Sequence, residues 1–267
     1  MKRTLKNVWS PQRRNRRDVD IYLPASYRTA GTRRYPVVYM QDGQNLSDPA
    51  SAFAGTWDLE PTLERLAARG LEVIVAGVHH AGEERLAEYS PFPDRRHRGG
   101  EGEGYLAFLA DTLKPRIDRL FRTRTSCDET AILGSSMGGL ISLYAFFRHP
   151  SVFGRAGVMS PSVWFGQGAI LEYIAAAKAP GGRVYLDVGR QEGVNTVRHA
   201  RQLARLLVRK GFRRDTRARR AVAARQGPER RRQRQRSLLR YIEDPGGGHQ
   251  EAAWAHRLES ALDFLLD

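Results

Sequence analysis

The sequence has almost no cysteine and no long apolar run. Cys127 is the only cysteine among 267 residues, so no disulfide can form within the chain, which fits a reducing compartment. No apolar stretch approaches the ~20 residues that cross a bilayer. The basic N-terminal segment lacks the apolar core of a signal peptide. These absences predict a soluble, cytoplasmic protein without a membrane partner.

Acidic residues are scarce in one region, and this scarcity accounts for the formal net charge of +15. Residues 198–240 hold 17 of the 44 Lys and Arg residues but only 2 of the 29 Asp and Glu residues. The rest of the chain contains 27 residues of each sign and is therefore neutral. The net charge describes one tract, so it does not by itself indicate a nucleic-acid-binding protein.

Apolar runs of strand length alternate with segments of helical periodicity along the chain. The predicted strands are 18–24, 34–41, 71–79, 130–134, 153–160, 183–189 and 238–244. The predicted helices are 59–70, 104–121, 137–150, 168–179, 197–211 and 250–267, with Pro115 expected to kink or divide the second of them. This alternation predicts a single α/β domain over 1–267, in which helices cover both faces of a mostly parallel sheet.

The stretch "ILGSSMGGLISLYAFFRHP" (132–150) has glycines on either side of a serine, between a predicted strand and a predicted helix. A G-x-S-x-G sequence alone is a weak signal, because a glycine-rich turn needs no chemistry. At a sharp strand-to-helix turn, however, Gly134 and Gly138 remove side chains that would collide, and the hydroxyl of Ser136 stands clear of the sheet. Ser135 lies off the motif, and we assign it no role. Ser136 is the predicted nucleophile.

A serine hydroxyl needs a base, and the base needs an acid to orient it. Hydrolases with this turn order the three residues as serine, acid, histidine along the chain. His249 follows the last predicted strand on the glycine-rich loop "DPGGGHQ", and the other histidines suit the role less well. Glu192 follows the preceding strand and is the predicted acid. Asp187 is the alternative, although it falls within the strand.

Acyl transfer also requires two donors to the oxyanion. The backbone N–H of Met137, at the start of the helix after Ser136, is the first candidate. The second should come from the loop after an early central strand, and the N–H of Gln44 in "YMQDGQNL" fits that place. An ordinary Asp-Gly turn is the alternative reading of this loop.

Several blocks of the chain resemble the esterase D-like and enterochelin-esterase-like branch of the α/β-hydrolases, to which feruloyl esterases and mycolyltransferases are related. The blocks are "RRDVDIYLP", "VVYMQDGQNLSDP", "ERLAEYSPF", "FLADTLKPRIDRLFRT", "ILGSSMGGLISLYA", "FGRAGVMSPSVWF", "YLDVGRQEG" and "GGHQEAAWAHRLESALDFLL". The resemblance implies an α/β-hydrolase fold and an ester substrate, with no metal or cofactor. It also implies Ser136 as nucleophile, His249 as general base and Glu192 as orienting acid.

The same resemblance places the substrate pocket among three loops. It implies that Arg85, Tyr89 and Trp164 contact the substrate, although plain packing is an equal alternative for each. Trp254 and Phe264 are expected to be core residues of the terminal helix.

The chain departs from the family pattern at 213–236, where an arginine-rich insert joins a helix to the last strand. Its composition favours a disordered or marginally helical surface segment. In the predicted fold this junction lies at the amino edge of the sheet, so the insert should not line the pocket.

Three functions follow from these observations. The first is hydrolysis of a carboxylic ester through an acyl-enzyme, and the second is transfer of the same acyl group to a sugar or another alcohol. The third, from a different class, is binding of nucleic acid or another polyanion through the arginine-rich insert. The sequence does not determine the ester or the oligomeric state.

Overall fold

The computed structural model describes residues 1–50, 52, 55–97, 99–215 and 237–267. The strands are β1 (Lys2–Ser10), β2 (Asn15–Tyr22), β3 (Val37–Gln41), β4 (Ile74–Val78), β5 (Thr130–Ser135), β6 (Arg155–Met159), β7 (Arg183–Gly189), β8 (Arg213–Arg214) and β9 (Leu238–Asp244). The helices are α1 (Leu59–Ala68), α2 (Arg85–Glu88), α3 (Gly102–Ala107), α4 (Lys114–Leu120), α5 (Met137–Arg148), α6 (Ala169–Ala176), α7 (Val194–Arg209) and α8 (Glu251–Leu266). The predicted order of strands and helices is confirmed, with boundaries that differ by a few residues.

Within the described residues, the strands form one sheet in the order β1-β2-β4-β3-β5-β6-β7-β9-β8. β2 pairs antiparallel with β1 and β4, and all the other neighbours are parallel. The carboxyl ends of β3, β5, β6, β7 and β9 therefore lie at one edge of the sheet. The predicted, mostly parallel sheet is confirmed, and this shared edge brings distant loops together.

The two outermost strands, β1 and β8, were not predicted from the sequence. β1 has mostly exposed or half-buried residues and its pairing register shifts between Leu5 and Val8, so it lacks a strong apolar signal. β8 covers only Arg213 and Arg214, which begin the predicted insert but pair with β9. The rest of that insert, 216–236, lies outside the described residues. Asp215 and Ser237, which flank it, lie beside the amino end of β9, where the junction was expected.

The core has two layers, because successive strand residues point to opposite faces of the sheet. In β3, Val37 and Tyr39 pack on one face, whereas Val38 and Met40 pack on the other. Helices α3 to α7 contribute side chains to the first face, and α1 and α8 contribute to the second. The prediction of helices on both faces is confirmed.

The segment predicted as one helix over 104–121 is divided. A π-helical turn, Phe108–Leu113, separates α3 from α4. Pro115 lies in the first turn of α4 and has no N–H to continue the hydrogen-bond ladder of the preceding helix. The wider π turn accommodates that loss, so the predicted effect of Pro115 is confirmed.

A buried ion pair joins β2 to the segment after β4. The guanidinium of Arg17 donates to both carboxylate oxygens of Glu88, at 2.8 and 2.6 Å, and both side chains are fully buried. Asn15 Nδ2 donates to the same carboxylate at 2.8 Å. Burial raises the pKa of Glu88, but the hydrogen bonds from Arg17 and Asn15 outweigh it and hold that pKa below its ordinary value. The pair anchors α2 against the sheet.

We expect Glu88→Ala to lower the free energy of unfolding by about 3–5 kcal/mol, because it leaves the Arg17 charge buried and unpaired. Urea denaturation measures the loss. The matched control is Glu259→Ala, which removes exposed ion pairs with Arg65 and Arg69 and should cost at most about 1 kcal/mol. Equal, small losses in the two variants would contradict the role given to the buried pair.

Candidate active site

Ser136 lies between β5 and α5 with φ 55° and ψ −119°, a conformation that is strained for any residue with a side chain. Its backbone is held on both sides. The N–H donates to the carbonyl of Met159 at 3.0 Å, and the carbonyl accepts from the N–H groups of Leu140 and Ser162, each at 3.0 Å. These contacts fix the sharp turn that the sequence predicted.

The glycines around Ser136 are required by close backbone approach. A Cβ at Gly134 would lie 2.6 Å from the carbonyl carbon of Gly138, and one at Gly139 would lie 2.9 Å from the carbonyl oxygen of Met159. A Cβ at Gly138 would lie 3.0 Å from Gln41 Cβ on β3. The three positions allow α5 to begin directly against the ends of β3, β5 and β6.

His249 and Glu192 lie at the same edge of the sheet as Ser136. The distance from Ser136 Oγ to His249 Nε2 is 3.0 Å, and the distance from His249 Nδ1 to Glu192 Oε2 is 2.7 Å. The ionised carboxylate only accepts, so Nδ1 carries the imidazole proton and Nε2 is free to accept from the serine. The structure therefore brings together the three residues that the sequence selected.

Asp187, the alternative acid, does not contact His249. It is fully buried in β7, and its Oδ1 accepts the N–H of Ser160 at 3.1 Å. Arg257 Nε lies 3.5 Å from its Oδ2. Burial raises the pKa of Asp187 to about 7, although the nearby Arg257 charge opposes the shift. Glu192, not Asp187, contacts His249.

The carboxylate of Glu192 is buried, and its oxygens accept hydrogen bonds from three groups. Burial raises its pKa, but the hydrogen bonds from His249, Ser160 and the N–H of Gly189 outweigh this effect and leave the pKa below its ordinary value. The Gly189 N–H lies 2.7 Å from Oε1. Glu192 therefore remains ionised beside the imidazole.

The loops after β7 and β9 touch through two glycines. Gln191 N–H donates to the carbonyl of Gly247 at 3.0 Å, and a Cβ on Gly189 would overlap that same carbonyl. The contact brings the loop that carries His249 against the turn that carries Glu192. No side chain fits between the two backbones.

We expect Gly189→Ala to lower the rate of ester hydrolysis by roughly 100-fold, because the added methyl group would push the two loops apart by about 1 Å. A chromogenic ester assay measures the rate. Gly246→Ala, in the loop that carries Gly247, is the control, since a Cβ there meets no atom of the described residues within 4 Å. If both variants kept the parent rate, the Gly189–Gly247 contact would not set the geometry.

The two candidate oxyanion donors lie on loops after neighbouring strands. Met137 is the first residue of α5, where N–H groups have no partner within the helix. Gln44 lies in a 3₁₀ turn, Gly43–Asn45, that follows Asp42 in a left-handed conformation with φ 54°. Gln44 Oε1 accepts the N–H of His80 at 3.4 Å, which fixes its side chain away from the backbone donor. Their role at an oxyanion remains a prediction.

The three residues expected to contact substrate differ in their surroundings. Arg85 forms a two-point ion pair with Asp42, at 2.7 and 2.8 Å, and so braces the loop that carries Gln44. Tyr89 is fully buried, and its hydroxyl accepts the N–H of Asp42 at 3.1 Å. The burial of this ring favours the packing alternative, and its contact with substrate remains a prediction.

Trp164 is 49% exposed, and its ring centre lies 5.6 Å from that of Phe165. Its contact with substrate remains a prediction. Trp254 and Phe264 are buried, as expected for core residues of the terminal helix.

Sequence reasoning missed Ser160, Ser162 and Arg257. Ser162 Oγ lies 3.1 Å from Ser136 Oγ, and Arg257 lies between the carboxylates of Asp187 and Glu192. One signal was available for Arg257. It falls three residues after Trp254 and next to Leu258, on the buried face of the terminal helix, where a charged residue is rare without a partner. No pattern in the sequence distinguished the two serines.

Asp187 predicts a pH dependence of stability. The pKa of Asp187 is raised in the folded protein, so the folded state binds the carboxyl proton more tightly than the unfolded state does. The contribution of this group to the free energy of unfolding is therefore favourable at low pH and is lost as the pH rises from about 4 to 7. Asp187→Asn does not ionise. We expect the variant to gain stability relative to the parent protein between pH 5 and pH 8 in urea denaturation, and a pH-independent difference would contradict the raised pKa.

A mostly parallel sheet, helices on both faces and a strained serine between strand and helix define an α/β-hydrolase. Residues 10–265 match the family described as "Putative esterase". The chain therefore belongs to this esterase family, and its membership supports hydrolysis of carboxylic esters.

The chain is also similar to individual proteins and to solved structures. The chain is 30% identical over 224 residues to "Uncharacterized protein YbbA" of Bacillus subtilis (strain 168). The aligned region spans 79% of this chain and 86% of that protein. It is 38% identical over 82 residues to the siderophore enterobactin esterase of Emericella nidulans, a match to 31% of this chain and 26% of that protein. The crystal structure of BES protein from Bacillus cereus shares the fold, with a TM-score of 0.73 and 20% sequence identity. The match covers 100% of this chain and 95% of the chain of that protein.

The lengths and compositions of the helices bear on whether any of them could cross a bilayer. In the part of the chain that the structure describes, none is both long and apolar enough to span a membrane.

Proposed function

We propose that the protein is a serine esterase that cleaves carboxylic esters through an acyl-enzyme, with Ser136, His249 and Glu192 as its catalytic triad. One observation carries the proposal. A continuous chain of hydrogen bonds runs from Ser136 Oγ to His249 Nε2 and from His249 Nδ1 to Glu192 Oε2, at 3.0 and 2.7 Å. This arrangement supplies a nucleophile, a base and an orienting acid in contact with one another.

In the first half of the reaction, Ser136 Oγ attacks the ester carbonyl while His249 Nε2 takes the hydroxyl proton. The negative charge that forms on the carbonyl oxygen is stabilised by the backbone N–H groups of Met137 and Gln44. His249 then donates its proton to the departing alcohol oxygen, and the acyl group remains on Ser136.

Glu192 holds the imidazole in the tautomer that leaves Nε2 able to accept. Its negative charge also stabilises the imidazolium that forms during attack. The lowered pKa of Glu192 keeps that charge in place over the working pH range.

We infer that water, rather than a second alcohol, takes the acyl group. The His249 side chain is 42% exposed, so water has access to the base. His249 takes a proton from that water as the water oxygen attacks the acyl carbonyl. It then returns the proton to Ser136 Oγ as the bond between that oxygen and the acyl carbon breaks and the acid is released. The alternative of transfer to a sugar uses the same residues but needs an acceptor site that excludes water.

We expect Ser136→Ala to lower kcat for a chromogenic ester by roughly 10³- to 10⁶-fold and to abolish covalent labelling by a fluorophosphonate. The reason is that the acyl group then has no oxygen to which it can bond. Intact-mass measurement detects the adduct, and titration of released acid distinguishes hydrolysis from transfer.

Ser135→Ala is the matched control, since it removes the neighbouring hydroxyl, to which no role is assigned. It should keep both the rate and the label. An unlabelled parent protein, or a label that persists in Ser136→Ala, would overturn the proposal.

A further inference from the structure

Ser160 lies directly after β6 in a left-handed conformation, with φ 43°. Its N–H donates to two oxygens of Asp187, the carbonyl at 3.0 Å and Oδ1 at 3.1 Å. The residue is fully buried. A non-glycine residue keeps such a conformation only where the surroundings enforce it, and such residues concentrate at functional sites. The contacts of its hydroxyl show what this conformation achieves.

The hydroxyl of Ser160 has three polar neighbours. Trp254 Nε1 and Arg257 Nη2 each lie 3.1 Å from Oγ, and both are donors with no ability to accept. The third neighbour is Glu192 Oε1, within hydrogen-bonding distance. Because both lone pairs of Oγ accept from Trp254 and Arg257, its single proton points to Glu192.

The hydrogen bond from Ser160 determines which contact each carboxylate oxygen of Glu192 makes. Oε1 accepts from Ser160 and from the N–H of Gly189, so the carboxylate cannot rotate without losing both bonds. Oε2 remains for His249 Nδ1.

Arg257 does not perform this task directly. Its Nη2 lies 3.6 Å from Glu192 Oε1, beyond hydrogen-bonding distance, while its charge offsets those of Asp187 and Glu192. A guanidinium bonded directly to Glu192 would compete with the imidazole for both carboxylate oxygens. The interposed hydroxyl holds the carboxylate but leaves its negative charge available to His249.

We propose that Ser160 is a positioning residue, which Trp254 and Arg257 orient so that its hydroxyl fixes the carboxylate of Glu192 against His249. This inference rests on the proposed function, because it assigns Ser160 an effect on the rate only through the triad. It predicts an effect on kcat rather than on substrate binding.

Ser160→Ala should lower kcat by about 10- to 100-fold and leave KM within about twofold, since the base is misoriented but the ester site is untouched. Ser142→Ala is the matched control. Ser142 is also fully buried, but among the residues that the structure describes its Oγ has no hydrogen-bond partner. It should keep the parent kcat. Melting temperatures of both variants identify any loss that results from unfolding.

A double-mutant cycle separates positioning from packing. In a Glu192→Ala background, Ser160→Ala should change kcat by less than about twofold, because the carboxylate that it positions is absent. An equal loss in both backgrounds, or no loss in the parent background, would overturn the role of Ser160. If Glu192→Ala alone kept the parent kcat, the triad itself would fail, which is a separate result.

Discussion

The contact between the loops after β7 and β9 is the constraint on which the candidate site depends. Glu192 and His249 lie 57 residues apart in the sequence, and adjacent parallel strands end beside each other to bring them together. Two glycines then let the backbones approach until Gln191 bonds to Gly247. The main chain thus sets how closely the two loops approach, and the contacts of the Glu192 carboxylate with Ser160 and Gly189 set its orientation.

The site also contains residues whose conformation or burial destabilises the folded state, and interactions elsewhere in the fold must offset that cost. Ser136 and Ser160 both have positive φ, and Asp187 carries a buried carboxyl group with a raised pKa. Each costs on the order of 1–3 kcal/mol. Packing of α5 and α8 against opposite faces of the sheet offsets these costs.

Local patterns predicted the alternating fold, and the glycines around Ser136 predicted its turn, because each rule depends on near neighbours in the sequence. The strand order of the fold also predicted where Glu192 and His249 would meet. Ser160 could not be found in this way, since its partners Trp254 and Arg257 lie more than 90 residues away. The burial of Tyr89 could not be read from the sequence for a related reason. Whether an aromatic ring faces a pocket or the core depends on tertiary packing that no short pattern encodes.

The terminal helix has a consequence for the chain during its synthesis. Ser136 leaves the ribosome more than 100 residues before His249, Trp254 and Arg257. Until the loop after β9 and helix α8 are in place, Ser136 lacks its imidazole neighbour and Asp187 lacks its guanidinium neighbour. A chain that has been translated only as far as β7 therefore holds the Ser136 hydroxyl without these neighbours, and the site is assembled only after β9 and α8 have joined the fold.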